Sequence, residues 1–276
     1  MHLDFHTRTV PVFVADRINH LWLLAGLPLP TYPAATIGIM ANAQTSAPFR
    51  QCYRAYPCLD ASYCEAIGAP CPCWQEQERC AVRRFILART IKMCDSGAFK
   101  RGGVQIGYER LYRLYCEMGA AFGIMIDRLG DRQATLASAE QALLAYGPFR
   151  GRFVLVGVAQ GRTIEEYLSC YRELKQMGFT HVAVGGLLQK IPGSARYTQV
   201  RDEGFLFAVL EALRAEHPGD WLMALGTFHP ERLARLRQLG AWADYKGWLF
   251  QYESKQQTLT VLLDRLLERL RAEAGS

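Results

Sequence analysis

No stretch of this 276-residue chain is both long and uncharged enough to read as a membrane-spanning helix. The first ten residues, M-H-L-D-F-H-T-R-T-V, lack the basic, apolar and small-residue regions of a secretory leader. No linker or low-complexity segment breaks the chain. The C-x3-C-x-x-C spacing of radical enzymes is missing as well, which argues against radical chemistry. A large excess of one charge is also lacking: Lys+Arg 32 against Asp+Glu 26 leaves a net +6. That balance permits a polyanionic partner without requiring one.

What is present reads as one globular domain over 1–276. Half the residues are hydrophobic and 21% are charged. Nine cysteines without a leader point to a reducing, cytoplasmic compartment and to thiols or a metal rather than disulfides.

The chain turns on Ile91–Arg101, I-K-M-C-D-S-G-A-F-K-R. A short apolar run ending in Asp95, Ser96 and Gly97 predicts a strand buried on both faces, with an acid at its carboxyl end. Similar units recur. Val10–Ala15 and Thr36–Met40 read as strands, separated by a helix that Asp16 caps. Ala81–Arg89 and Tyr108–Met118 read as helices flanking the Ile91 strand. Further strands are predicted at Phe122–Asp127, Phe153–Ala159, His181–Leu187, Trp221–Leu225 and Ala243–Trp248. The helices between and after them are Thr135–Tyr146, Ile164–Met177, Glu203–Ala215, Pro230–Leu239 and Thr258–Ala272. Thr135 is read as a cap. About eight strand–helix units in this length predict an α/β fold, a (β/α)8 TIM barrel. A doubly wound open sheet is the competing arrangement.

A barrel gathers the carboxyl ends of its strands at one mouth. This chain places Asp95-Ser96-Gly97, Asp127, Gln160-Gly161, Gly185-Gly186, Gly226-Thr227 and Asp244 there. Carboxylates accept N–H bonds, and bare backbone at glycine exposes amides to a flat ligand. The inventory suits a purine-like heterocycle and equally a sugar.

Residues 41–80 form an irregular, Cys-rich insertion between strands two and three. Cys52, Cys58, Cys64, Cys71, Cys73 and Cys80 fall in it. Some four of these thiolates would close a structural zinc site, with an iron–sulfur cluster as the alternative.

Five segments carry a resemblance. M-C-D-S-G-A-F, I-M-I-D, V-G-V-A-Q-G-R, H-V-A-V-G-G-L and H-P-E-R-L-A-R-L-R-Q-L-G-A occur in series over Ile91–Leu249. Together they resemble the tRNA-guanine transglycosylase superfamily, and most of all its DNA-modifying branch. The resemblance implies a pentosyltransferase that exchanges guanine in DNA for a 7-deazaguanine base through a covalent Asp–sugar intermediate. It implies no organic cofactor. Asp95 would move protons and Asp244 would be the nucleophile. Asp127 would read the base, with Ser96, Gly97, Gln160, Gly161, Gly185 and Gly186 around it. The acid of the last strand stands one residue early relative to the family, leaving Tyr245 at the matching count. The late zinc motif of tRNA-modifying relatives is absent and no appended RNA-binding domain is expected after Ser276, which argues against action on tRNA. A tRNA-guanine transglycosylase and a non-catalytic nucleic-acid-binding relative are the alternatives. A homodimer or partner proteins of a DNA-modification system are the expected associations. Lys100, Arg101, Arg128, Arg132, Arg162 and Arg196 are expected along a DNA or tRNA path.

Overall fold

The computed structural model describes residues 11–14, 37–44, 90–98, 104–190, 197–200, 203–228 and 232–245. The Cys-rich stretch lies outside them, as do Lys100, Arg101, Arg196 and the helices expected after Asp16, at Ala81–Arg89 and at Thr258–Ala272.

Eight parallel strands close into a barrel. They are β1 (Pro11–Val14), β2 (Ile37–Asn42), β3 (Thr90–Asp95), β4 (Phe122–Ile124), β5 (Val154–Ala159), β6 (His181–Val184), β9 (Leu222–Ala224) and β10 (Ala241–Tyr245). Neighbours in sequence are neighbours in space, and β1 pairs with β10 to complete the ring, Val12 opposite Asp244. The TIM-barrel expectation holds and the open sheet is excluded. One element escaped the sequence reading: β7 (Leu188–Lys190) and β8 (Tyr197–Val200) form an antiparallel hairpin inserted after β6.

The helices follow from local chemistry. α1 (Tyr108–Glu117) buries Tyr108, Leu111, Tyr112 and Tyr115, the spacing of one helical face. α2 (Arg132–Tyr146) is capped by Asp131, whose carboxylate accepts the Ala134 N–H at 2.9 Å. The expectation that Thr135 is the cap is corrected. Its hydroxyl instead accepts from Arg128 N at 3.0 Å and donates to Arg128 O at 3.1 Å, pinning the loop after β4. α3 (Ile164–Met177) starts at Thr163 and ends at Gly178, whose φ of 105° lies in the left-handed region that glycine tolerates. α4 (Glu203–Glu216) and α5 (Leu233–Gln238) precede β9 and β10.

Two glycines tell inside from outside. A Cβ on Gly123 would stand 2.3 Å from the Tyr115 ring of α1, and one on Gly157 would stand 3.0 Å from Phe179. Both positions therefore face outward, and the alternate residues Phe122, Ile124, Val156 and Val158 face the lumen. The lumen is filled. Phe122 stacks on Trp221 at 5.8 Å with planes 5° apart, and Trp242 meets both edge-on. His181 packs against Phe122 and Trp221. β4 and β10 are not adjacent, so Phe122 and Trp242 can meet only through the barrel interior. Bulky rings at the amino ends make a floor, and the carboxyl ends are left for polar groups.

Candidate active site

Asp95, Asp244 and Asn42 reach the mouth by strand parity. Met93 pairs with the inward-facing Phe122, so Asp95, two residues on, faces inward too. Asn42 pairs with Asp95 on the neighbouring strand. Trp242 faces the lumen, hence so does Asp244. The sequence left Asp244 and Tyr245 as rivals, and the register places Asp244 on the lumen face.

Asp244 is buried, 5% exposed, and its Oδ1 accepts the Gly226 N–H at 2.9 Å. Burial pushes its carboxyl up to about 7, helped by the charge of Asp95 and opposed by the Gly226 bond. The turn carrying Gly226 is itself fixed: Thr227 donates to Ala224 O at 3.0 Å, and Phe228 N donates to Asp244 O at 3.0 Å.

Asp127 lies beyond the end of β4, on a segment held from outside the barrel. Tyr108 of α1 accepts from Ile126 N at 3.1 Å, and Ser138 of α2 donates to Ile126 O at 2.7 Å. The carboxyl is buried, 4% exposed. Burial raises it to about 6, against a bond from Gln160 Nε2 and with the charge of Asp95 adding to the rise. Gln160 is engaged at both ends, since its Oε1 accepts from Gly130 N at 3.1 Å. It orients Asp127 and the Gly130 turn together.

The glycines have internal reasons. A Cβ on Gly185 would meet Gln160 Nε2 at 2.5 Å, and one on Gly186 would meet Gln160 Oε1 at 2.3 Å. Their missing side chains make room for Gln160. Tyr167 of α3 fixes this peptide by donating to Gly185 O at 2.9 Å. A Cβ on Gly161 would stand 2.9 Å from Tyr167 N, so this glycine lets α3 approach the end of β5. Gly97 has φ 85° and lies under Asn42 and Gln44. Ser96 is fully buried, and its Oγ has no hydrogen-bond partner among the described residues.

Asn42 and Gln44 are the site residues that sequence reasoning missed. Asn42 Nδ2 donates to Asp95 Oδ2 at 3.2 Å, and Gln44 Nε2 donates to Ser96 O at 3.2 Å. The signal was the A-N-A-Q run after an apolar strand, which ending that strand at Met40 concealed. Of the basic residues expected along a nucleic-acid path, Arg128 and Arg162 are exposed, and Arg132 is committed to an ion pair with Glu173. Among the described residues no group of three His, Cys, Asp or Glu is arranged to hold a metal. No described helix is long and apolar enough to cross a membrane.

No family model matches the chain, and no curated protein matches it. Among solved structures it is similar to a protein from Burkholderia cenocepacia J2315 described as a phosphonomutase. The TM-score is 0.49 at 14% identity, over 95% of this chain and 96% of that one. The expectation of guanine exchange in DNA, with its 7-deazaguanine base and covalent Asp–sugar step, is corrected: no family model and no curated protein supports it, and the solved structure named above is described by a different reaction. Zinc has no support among the described residues, the six clustered cysteines lying outside them.

Proposed function

We propose that the chain is a barrel enzyme that uses carboxylates for proton transfer on a small ligand rich in N–H donors. One observation carries this reading. Asp127 and Asp244 are buried at one mouth, and burial, helped by the charge of Asp95, raises them to about 6 and about 7. A group that titrates near neutral pH exchanges a proton with little loss in either direction, as general acid–base catalysis requires. Structural acids that serve only to cap strands have no need of such values.

The division of labour follows from the partners. Asp127 is mostly ionised at neutral pH, oriented by Gln160, and presents an acceptor to a ligand N–H. A charge-assisted bond of this kind contributes about 1.5–3 kcal/mol. Asp244 is half protonated near pH 7 and is the acid or base. Asp95, held by Asn42, stands beside both acids and adds to the rise of each.

Calorimetric titration tests the reading. The panel is 2-aminopyrimidin-4-one and 2-aminobenzimidazole as ring compounds, with glucitol as a polyol. The ring compounds should bind, more tightly as pH rises through about 6. Asp127→Asn should lose most of that affinity. Turnover, once a substrate is in hand, should follow a bell with limbs near 6 and 7, macroscopic values belonging to the coupled acids. Binding of glucitol alone, or ring binding indifferent to Asp127→Asn, would overturn the proposal.

A further inference from the structure

The mouth has a feature that the acids alone do not explain: a side-chain amide whose orientation is settled. Asn42 Oδ1 accepts the backbone N–H of Gln44 at 3.2 Å. The amide therefore cannot turn over without losing that bond, and its Nδ2 must point to Asp95 Oδ2, 3.2 Å away. The backbone strengthens the link, because Ala43 N donates to Asp95 O at 3.0 Å and extends the β2–β3 ladder past the last paired residues. Asn42 is itself buried, 4% exposed.

We propose that Asn42 is a positioning residue, holding Asp95 as a carboxylate in the mouth that Asp127 and Asp244 share. The inference rests on that mouth being the working site of the proposed enzyme. An N–H donor bonded to a carboxylate favours its charged form. Burial is the main cause of the raised values of Asp127, Asp244, the Cys94 thiol and the Tyr115 phenol, and the charge of Asp95 adds to each, Cys94 and Tyr115 lying on its outer side. Arg128 opposes it weakly at Asp127. A neutral amide on β2 thus acts, through Asp95, on two acids of other strands.

The test is carboxyl-carbon NMR titration of the full chain with labelled aspartate, each signal assigned by substitution. In Asn42→Ala the Asp95 midpoint should rise. Asp95→Asn should lower the midpoints of Asp127 and Asp244. Asn42→Asp, nearly isosteric, replaces donor by acceptor and should raise the Asp95 midpoint further; it stands in if the alanine variant does not fold. Gln44→Ala keeps the backbone N–H that orients Asn42 and should leave all three midpoints in place. An Asp95 midpoint unmoved in both Asn42 variants would overturn the inference. So would Asp127 and Asp244 midpoints unmoved in Asp95→Asn, or shifts in Gln44→Ala as large as those in Asn42→Ala. No ligand is needed, so a failure of ring compounds to bind sinks the proposed function and leaves this result readable.

Discussion

Asp244 shows most sharply what a buried acid costs. Its carboxyl sits at about 7 in the folded chain, and the usual value for an exposed aspartate is about 3.9. Below the lower value both states are protonated and folding carries no penalty. As pH rises from the lower value to the folded one, the unfolded chain releases its proton while the native carboxyl keeps it, and stability is lost across that window. Asp244→Asn keeps an acceptor for the Gly226 N–H and removes the charge. In urea melts it should match the wild type near pH 4 and exceed it at pH 8 by on the order of 2–4 kcal/mol. Equal midpoints at both pH values would mean that Asp244 is not buried as an acid. Asp127 should show the same trend more weakly, its rise being smaller and partly offset by Gln160.

At the level of elements, α1 and α3 hold the site from outside the barrel. Tyr115 of α1 donates to Ile124 O at 2.6 Å, which locks its ring over Gly123. A methyl at Gly123 would have nowhere to go, because the ring 2.3 Å away is tied down and Phe153 closes the other side at 2.8 Å. Gly123→Ala should destabilise by about 1–3 kcal/mol and loosen the segment that carries Asp127. Hydrogen exchange at Ile126 should report the loosening. Thr163 accepts the Glu166 N–H at 3.3 Å at the start of α3. Thr163→Ala should cost about 1 kcal/mol and leave ligand affinity unchanged, because Tyr167, which fixes the Gly185 peptide, lies a full turn further on. Legibility at this scale was uneven. The bounds of α3 match the sequence reading, since a threonine cap, an amphipathic face and a glycine stop are all local signals. The β7–β8 hairpin was missed because its pairing depends on contact between two segments that carry no alternation of their own.

For the whole molecule, the closed ring makes the floor and the mouth parts of one object. Phe122, His181, Trp221 and Trp242 meet across the lumen, and the two tryptophans are almost fully buried. Trp242→Ala should lower the unfolding free energy by about 3–5 kcal/mol. Denaturation should remain a single transition, because the ring that is lost touches partners from several strands at once. Two separate transitions would show that the barrel halves hold themselves together independently. Asp244, two residues beyond Trp242 on the same face, should titrate differently in that variant, since its burial depends on how β10 is seated.

The amino-acid sequence by itself determined the eight barrel strands, their alternation with the described helices, and the acids at strand ends. Those features rest on hydrophobic periodicity and capping, whose range is a few residues. It also brought Asp95, Asp127, Gln160 and Asp244 forward, because a polar residue ending an apolar run is visible without coordinates. Only the tertiary structure decided that Asp244 shares the lumen face with Trp242, that Gly185 and Gly186 are small to admit Gln160, and that Asn42 grips Asp95. Each depends on register between strands far apart in the chain, and one residue of slip would turn every such side chain to the opposite face of the sheet.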